Sequence, residues 1–418
     1  MTHPRHPRRS NGFRGFGAGL WSAVLILAAV SLNACDTRQP ESGIELEQLA
    51  TPAPPGSFAP RLVSLEDGRV LLSWLEETGD GHALRFALHD GGEWEAPRTV
   101  AEGGDWFANW ADTPGVIPVG EKLFAHWLVS SGGGTFEYEI HAAWSDDEGR
   151  SWNEPFLVHR DGKPAEYGFL TGVVLPDGDL GLGWLDGRAM ADDPPGAMSL
   201  RWARFAPGSS EPRDRRELDG RVCECCMTAT VERDGRPMVF YRDRSEDEIR
   251  DIGRVSRHED GWSEPEVVAA DGWEISGCPV NGPAADAVGS RAAVAWYTNA
   301  DGDARVQLAD IDEQGGIGAV RRVDAGEPLG RAATLLDPED GAWVVWLESE
   351  TDGAALMARR VPGEGEPLAP SRLTAMAPGR TSGFPVLTRA GERRMLAWTD
   401  VADEQRRVRV GELRLVTD

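Results

Sequence analysis

The 418-residue sequence predicts an all-β protein, a β-propeller of seven four-stranded blades. Three observations predict it. Glycine, proline and aspartate recur along the whole chain while long amphipathic helical patterns are absent, so short strands joined by turns are expected. A unit of apolar strand, Asp-Gly-like turn and second apolar strand ending in an aromatic repeats through Trp74, Trp127, Trp184, Tyr241, Trp296, Trp346 and Trp398, at spacings of 53, 57, 57, 55, 50 and 52 residues. The segment 44–49, Ile-Glu-Leu-Glu-Gln-Leu, alternates apolar and polar residues ahead of the first unit, as a half-buried strand does.

The strands follow in order. In the first unit, residues 59–65 and 69–75 flank the Asp67-Gly68 turn, residues 82–88 make a third strand, and Trp94-Glu95-Ala96-Pro97 opens a fourth that runs to about Val100. Trp-x-x-Pro returns at Trp152 to Pro155 and at Trp262 to Pro265, and weaker fourth strands are expected at 213–218, 317–323 and 368–373. Six fourth strands thus accompany seven sets of three. Residues 44–49 supply the missing one by pairing with the last strands, between 384 and 415, which closes the ring and leaves no large open edge. A single domain over 43–418 is expected; six blades plus a degenerate repeat is the alternative.

The first 35 residues read as a targeting segment. Arg5, Arg8, Arg9 and Arg14 precede an apolar run over 20–32, shorter than the ~20 residues a membrane span needs. The run ends in Leu32-Asn33-Ala34-Cys35, which resembles the bacterial lipobox, in which cleavage precedes a Cys that carries lipid. The resemblance implies lipidation at Cys35, a polar tether over 36–42, and a place in the bacterial cell envelope, periplasmic or surface-facing, where disulfides persist. After cleavage, 39 basic residues face 69 acidic ones, a net of −30. So acidic a body repels nucleic acid and anionic lipid; a monomer held to the membrane by its lipid is expected, with a carbohydrate or an envelope protein as partner.

Ser145-Asp146-Asp147-Glu148-Gly149-Arg150-Ser151-Trp152 resembles the Asp-box, Ser-x-Asp-x-Gly-x-(Ser/Thr)-Trp, of sialidases and other BNR-repeat propellers. Ser145, Asp147, Gly149 and Trp152 take the motif's positions. Asp147 is expected to accept turn amides, Gly149 to adopt φ > 0 and Trp152 to pack between strands. Degenerate copies end at Trp94 and Trp262. The resemblance implies a propeller; the motif is structural.

The chemistry concentrates in the cysteines. Cys223, Cys225 and Cys226 lie in Arg221-Val222-Cys223-Glu224-Cys225-Cys226-Met227-Thr228, and Cys278 in Gly277-Cys278-Pro279-Val280-Asn281. Cys223 and Cys278 each stand 18 residues before a closing aromatic, hence at one height on neighbouring blades, where first strands enter the channel. Asp112, Phe169, Cys226, Asn281 and Arg331 stand 15 before theirs. Two disulfides are one expectation, with Cys223–Cys278 preferred and Cys225–Cys226, or the pairs Cys223–Cys226 and Cys225–Cys278, completing the set. A Cu or Zn thiolate site is the other. An extended strand would point Cys225 and Cys226 to opposite faces, against the metal.

A sialidase-like glycoside hydrolase is the competing reading of function. The resemblance then implies Tyr167 as nucleophile activated by Glu166, Asp112 as acid/base, and Arg61, Arg331 and Arg380 as a clamp for a sugar carboxylate, with Asn281 beside them. Residues 58–62 read Phe-Ala-Pro-Arg-Leu where sialidases carry Phe/Tyr-Arg-Ile-Pro, so the first expectation remains binding of a ligand, metal or partner at the cysteines.

Overall fold

The computed structural model describes residues 43–402 and 405–416. They form seven antiparallel four-stranded sheets in a ring, six of them running from innermost to outermost strand in chain order. The first strands of all seven (Ser57–Ser64, Gly115–Val119, Tyr167–Val174, Ala229–Arg233, Ala284–Val288, Pro328–Leu336 and Val386–Ala390) line one central cavity of about 280 Å³. Small side chains at Gly115, Gly172, Ala229, Ala285, Ala332 and Ala333 leave that space open beside larger ones such as Arg61 and His126.

Closure occurs as the strand count requires. Gly43–Leu49 pairs antiparallel with Gln405–Val416, Ile44 opposite Leu415, as the outermost strand of blade seven. Expected fourth strands are present, displaced by a few residues: Arg98–Gly103, Phe156–Leu157, Pro212–Asp219, Glu266–Ala269, Arg321–Arg322 and Ser371–Met376. Trp-x-x-Pro precedes the strand rather than starting it, because proline cannot donate to the ladder.

The closing aromatics are all buried on second strands. They contribute to seven hydrophobic seams, one at each junction between blades. The acidic residue two places on has a task in two blades: Trp184 Nε1 donates to Asp186 at 2.9 Å and Trp346 Nε1 to Glu348 at 2.9 Å, so a polar tip is satisfied inside an apolar seam. The Asp-box folds as its residues dictate. Asp147 accepts the Ser151 amide (2.9 Å) and hydroxyl (2.7 Å) and the Ser145 hydroxyl (2.9 Å), which holds its carboxyl down at about 2. Gly149 takes φ 78°, and a Cβ there would meet the Phe86 ring at 2.3 Å. Trp152 stands edge-on to that same ring, 6.2 Å away, so the box joins blades one and two.

Cys35 and the rest of the lipobox and tether lie outside the described residues. Deleting 43–49, with the tether joined to residue 50, should lower the thermal midpoint and promote association through the bared edge of Gln405–Val416. Melting followed by circular dichroism and light scattering checks this; an unchanged, monodisperse protein would show that the strand contributes nothing to closure.

Candidate functional site

Blade four begins with a turn. Residues 223–228 precede the strand Ala229–Arg233 and belong to no strand themselves. This corrects the extended-strand expectation: the turn folds the three thiols back onto one another instead of sending Cys225 and Cys226 to opposite faces. Cys223 Sγ lies 3.3 Å from Cys226 Sγ and 3.9 Å from Cys225 Sγ, and all three lie within 4.8 Å of one another. Cys223 and Cys226 are buried, Cys225 is half-buried, and Cys278, from the loop before blade five, is exposed beside Cys225.

The preferred Cys223–Cys278 disulfide is not formed. All four cysteines are free, and no sulfur pair stands near the ~2.05 Å of a bond. Equal height on neighbouring blades did bring Cys278 to the cluster, but its neighbour there is Cys225, because the turn swings Cys223 inward toward Cys226.

Guanidinium groups surround the thiols. Arg250 Nη1 donates to Cys223 Sγ at 3.2 Å and to Glu224 at 3.0 Å, while its Nη2 reaches Glu248 at 2.8 Å. Arg244 spans the same two glutamates, completing an Arg–carboxylate ring. Arg242, 1% exposed, donates to the carbonyls of Asn281 (2.8 Å), Arg250 and Tyr297 (2.6 Å) and lies over the Trp273 ring at 4.9 Å. Hydrogen bonds from Cys225 and Cys226, with the Arg250 charge, hold the Cys223 thiol well below its ordinary pKa. Burial pushes Cys226 up, opposed in part by the charge of Arg242. A hydrogen bond from Cys225 lowers Cys278.

The carboxylate–tyrosine group is rearranged from expectation. Glu166 does not reach Tyr167. Adjacent residues on a strand point opposite ways, and Tyr167 turns to Asp161 and the Lys163 carbonyl (3.2 Å), stacked on His159 at 3.6 Å. The hydroxyl beside Glu166 belongs to Tyr138, 3.0 Å from Glu166 and 3.4 Å from Asp112. Asp112 also accepts the Phe169 amide at 2.8 Å, and burial raises it to about 7 against that bond and the Arg61 charge. Burial raises Glu166 to about 7 as well, with the Tyr138 bond opposing it. Sequence reasoning missed Tyr138; its place at the start of a third strand beside the first strand of the next blade carried no local signal.

The three arginines divide. Arg61 is half-buried, donates to the Leu170 carbonyl at 2.9 Å and lines the channel near Asp112 and His126. Arg331 and Arg380 meet instead over Trp110, 4.9 and 5.9 Å from its ring, with Phe384 stacked on Trp110 at 5.5 Å. Arg331 is tied to the Gly379 carbonyl (3.0 Å) and the Ser382 hydroxyl (2.7 Å); burial, then the charge of Arg380, lowers it to about 10. Neither pairs with a carboxylate among the described residues. Asn281 is a strut: its Oδ1 accepts the Arg331 amide at 2.7 Å and its Nδ2 reaches the Pro279 and Leu329 carbonyls, each at 3.4 Å. Trp110, Phe384, Met227, Val280 and Cys225 belong to one apolar cluster, so arginines and thiols border a common surface.

No protein-family profile matches the chain, and no curated protein matches it. Among solved structures, the polysaccharide lyase Uly1 resembles it with TM-score 0.51 at 10% identity, over 86% of this chain and 90% of that one. An ulvan lyase of polysaccharide lyase family PL25 gives 0.51 at 10%, over 90% and 94%. The NanB sialidase from Streptococcus pneumoniae gives 0.46 at 11%, over 86% and 68%, and a Hadza microbial sialidase 0.45 at 16%, over 70% of this chain. The chain spans 63% of the length of that last sialidase. The likeness to the two lyases is one of fold.

The raised Asp112 carboxyl has a signed consequence. In the unfolded chain it loses its proton near pH 4, whereas the folded chain keeps it up to about 7. The folded state therefore binds the additional proton in this window, and the contribution to stability is lost as pH rises from about 4 to about 7. Asp112→Asn should flatten the pH dependence of urea-unfolding stability there by up to one proton. Identical slopes in variant and wild type would mean that Asp112 is ionised in the fold.

Proposed function

We propose that this protein is an exported, lipid-anchored propeller that binds a soft metal ion, Cu(I) or Zn(II), through Cys223, Cys225 and Cys226 where blades four and five meet. The observation that carries the reading is the sulfur spacing. Four thiolates at the ~2.3 Å of a zinc–sulfur bond stand about 3.8 Å apart at the corners of a tetrahedron. The separations of 3.3 and 3.9 Å bracket that edge and are far from a disulfide. Thiolates select Cu(I) and Zn(II) by softness, and ligating thiols must be deprotonated, which Arg250 and Arg242 favour by their charge. The lipobox-like Leu32-Asn33-Ala34-Cys35 supports the anchor and an envelope location.

Metal-free, reduced protein should take up one Cu(I) or Zn(II) per chain, with a thiolate-to-metal absorption band and protection of the cluster from alkylation. Cys226→Ser should weaken binding by roughly a hundredfold or more, since losing a ligand costs more than the ~10- to 100-fold effect of losing a residue that only orients one. An intact mass short by four protons in metal-free protein from its own envelope would instead make the cluster a pair of disulfides and end this reading.

A second reading rests on Arg331 and Arg380. Two guanidinium groups held over an aromatic ring without a carboxylate suit an anionic saccharide that stacks on Trp110 and Phe384. Hydrolysis by the sialidase scheme is poorly served: Tyr138, the hydroxyl beside Glu166, is 1% exposed and stacked on Phe107 at 4.0 Å. Uronate or sulfated oligosaccharides should perturb Trp110 fluorescence in wild type and not in Arg380→Gln, with no release from fluorogenic sialosides. Turnover of a sialoside that Tyr138→Phe abolishes would restore the hydrolase.

A further inference from the structure

The four thiols are not equivalent. Cys223, Cys225 and Cys226 come from one turn and lie within 4.8 Å of one another; Cys278 comes from a different blade and is not part of that group. Cys223 and Cys226 are each 1% exposed, so no incoming ligand approaches them directly. Cys278 is exposed and next to Cys225, the most accessible member of the three. Around it the loop is open: a Cβ at Gly277 would meet nothing within 4 Å.

Just beyond Cys278 the loop is anchored. A Cβ at Gly282 would strike the Met227 carbonyl at 2.1 Å, so the blade-five loop is seated against the blade-four turn with no room between them. Asn281 holds the loop to Leu329, and its carbonyl accepts Arg242 Nε at 2.8 Å. Cys278 therefore has a fixed base three residues away and a free, solvent-facing side chain at the rim of the cluster.

We propose that Cys278 is the exchange ligand of this site, the thiolate through which the metal ion enters and leaves the nest formed by Cys223, Cys225 and Cys226. The inference rests on the metal-binding reading. In the outward direction the Cys278 thiolate donates a lone pair to the bound ion as the metal–sulfur bond to Cys225 breaks. The Cys225 thiolate departs with its electron pair and takes a proton from water. A thiolate or thioether of an acceptor then bonds to the exposed ion and displaces the remaining ligands in turn. The ion keeps its oxidation state, and every bond broken is replaced, so no oxidant or reductant is needed. The acceptor or donor is accordingly a molecule bearing soft sulfur ligands that approaches the blade-four and blade-five side of the channel mouth. Access sets the rate of such exchange, and Cys278 is the exposed thiol beside Cys225.

The test loads full-length wild type and Cys278→Ser with one equivalent of Cu(I) under argon and follows transfer to a dithiol chelator by stopped flow, alongside equilibrium competition with the same chelator. Cys278→Ala repeats both measurements without a hydroxyl in place of the thiol. The expected result is unchanged equilibrium affinity with transfer slowed by roughly tenfold or more in both variants. Equal transfer rates would overturn the proposal, and so would a large loss of equilibrium affinity, which would make Cys278 a resident ligand. A wild-type chain that retains no metal fails differently: it removes the metal-binding reading itself, and the exchange role with it.

Discussion

The junction of blades four and five depends on the buried guanidinium of Arg242. It is 1% exposed and its partners are three backbone carbonyls: Arg250 in its own blade, and Asn281 and Tyr297 in the next. Burying a cation among carbonyls is costly unless its hydrogen bonds are made and an opposite charge lies near. The carbonyls meet the first requirement and lock the two blades in register. The second is met by a carboxylate, since the Arg242 charge acts on Asp271, and it acts on the Cys226 thiol as well. One side chain thus couples the placement of the Cys278 loop to the ionisation of the cluster.

A propeller is suited to such a site. Each blade buries its large apolar side chains in the seams, which hold neighbouring blades together. The loops leading into first strands are then free to carry groups a core would not tolerate. Here those loops carry four thiols and Arg380; a first strand adds Arg331, and the loop between the second and third strands of blade four adds the arginines of the Arg–carboxylate ring, beside the apolar surface of Trp110, Phe384 and Met227. The left-handed backbone at Ala59, Phe169 and Arg331 recurs at one position of three blades, and Val280 takes it one residue earlier in a fourth. The same irregularity, repeated around the ring, sets side chains at the mouth.

Counting residues back from the closing aromatics placed Cys278 near the cluster, because blades of similar length share one register. It failed wherever a side chain's direction mattered. Glu166 and Tyr167 are adjacent in sequence and hydrogen-bond to different partners, since a strand alternates its faces. Tyr138 comes to Glu166 from another blade, 28 residues earlier, across a seam that no local pattern marks. The Cys225–Cys226 pair was misjudged for the same reason in reverse: it was given strand geometry where the chain makes a turn.

The sequence by itself determined the ring. Strand-turn-strand periodicity, seven closing aromatics and one displaced fourth strand pointed to seven blades closed by Gly43–Leu49 on Gln405–Val416, which the structure bears out, because an unpaired edge and an unburied indole are each unfavourable locally. It also named the cysteines as the place where chemistry gathers. Only the tertiary structure decided how they meet: three in one nest, Cys278 outside it, none bonded. That outcome depends on a turn before blade four and on a loop of blade five held by Arg242 and Asn281. Such contacts join residues some 40 to 50 positions apart through backbone carbonyls and amides, which every residue possesses and which therefore leave no mark in the sequence.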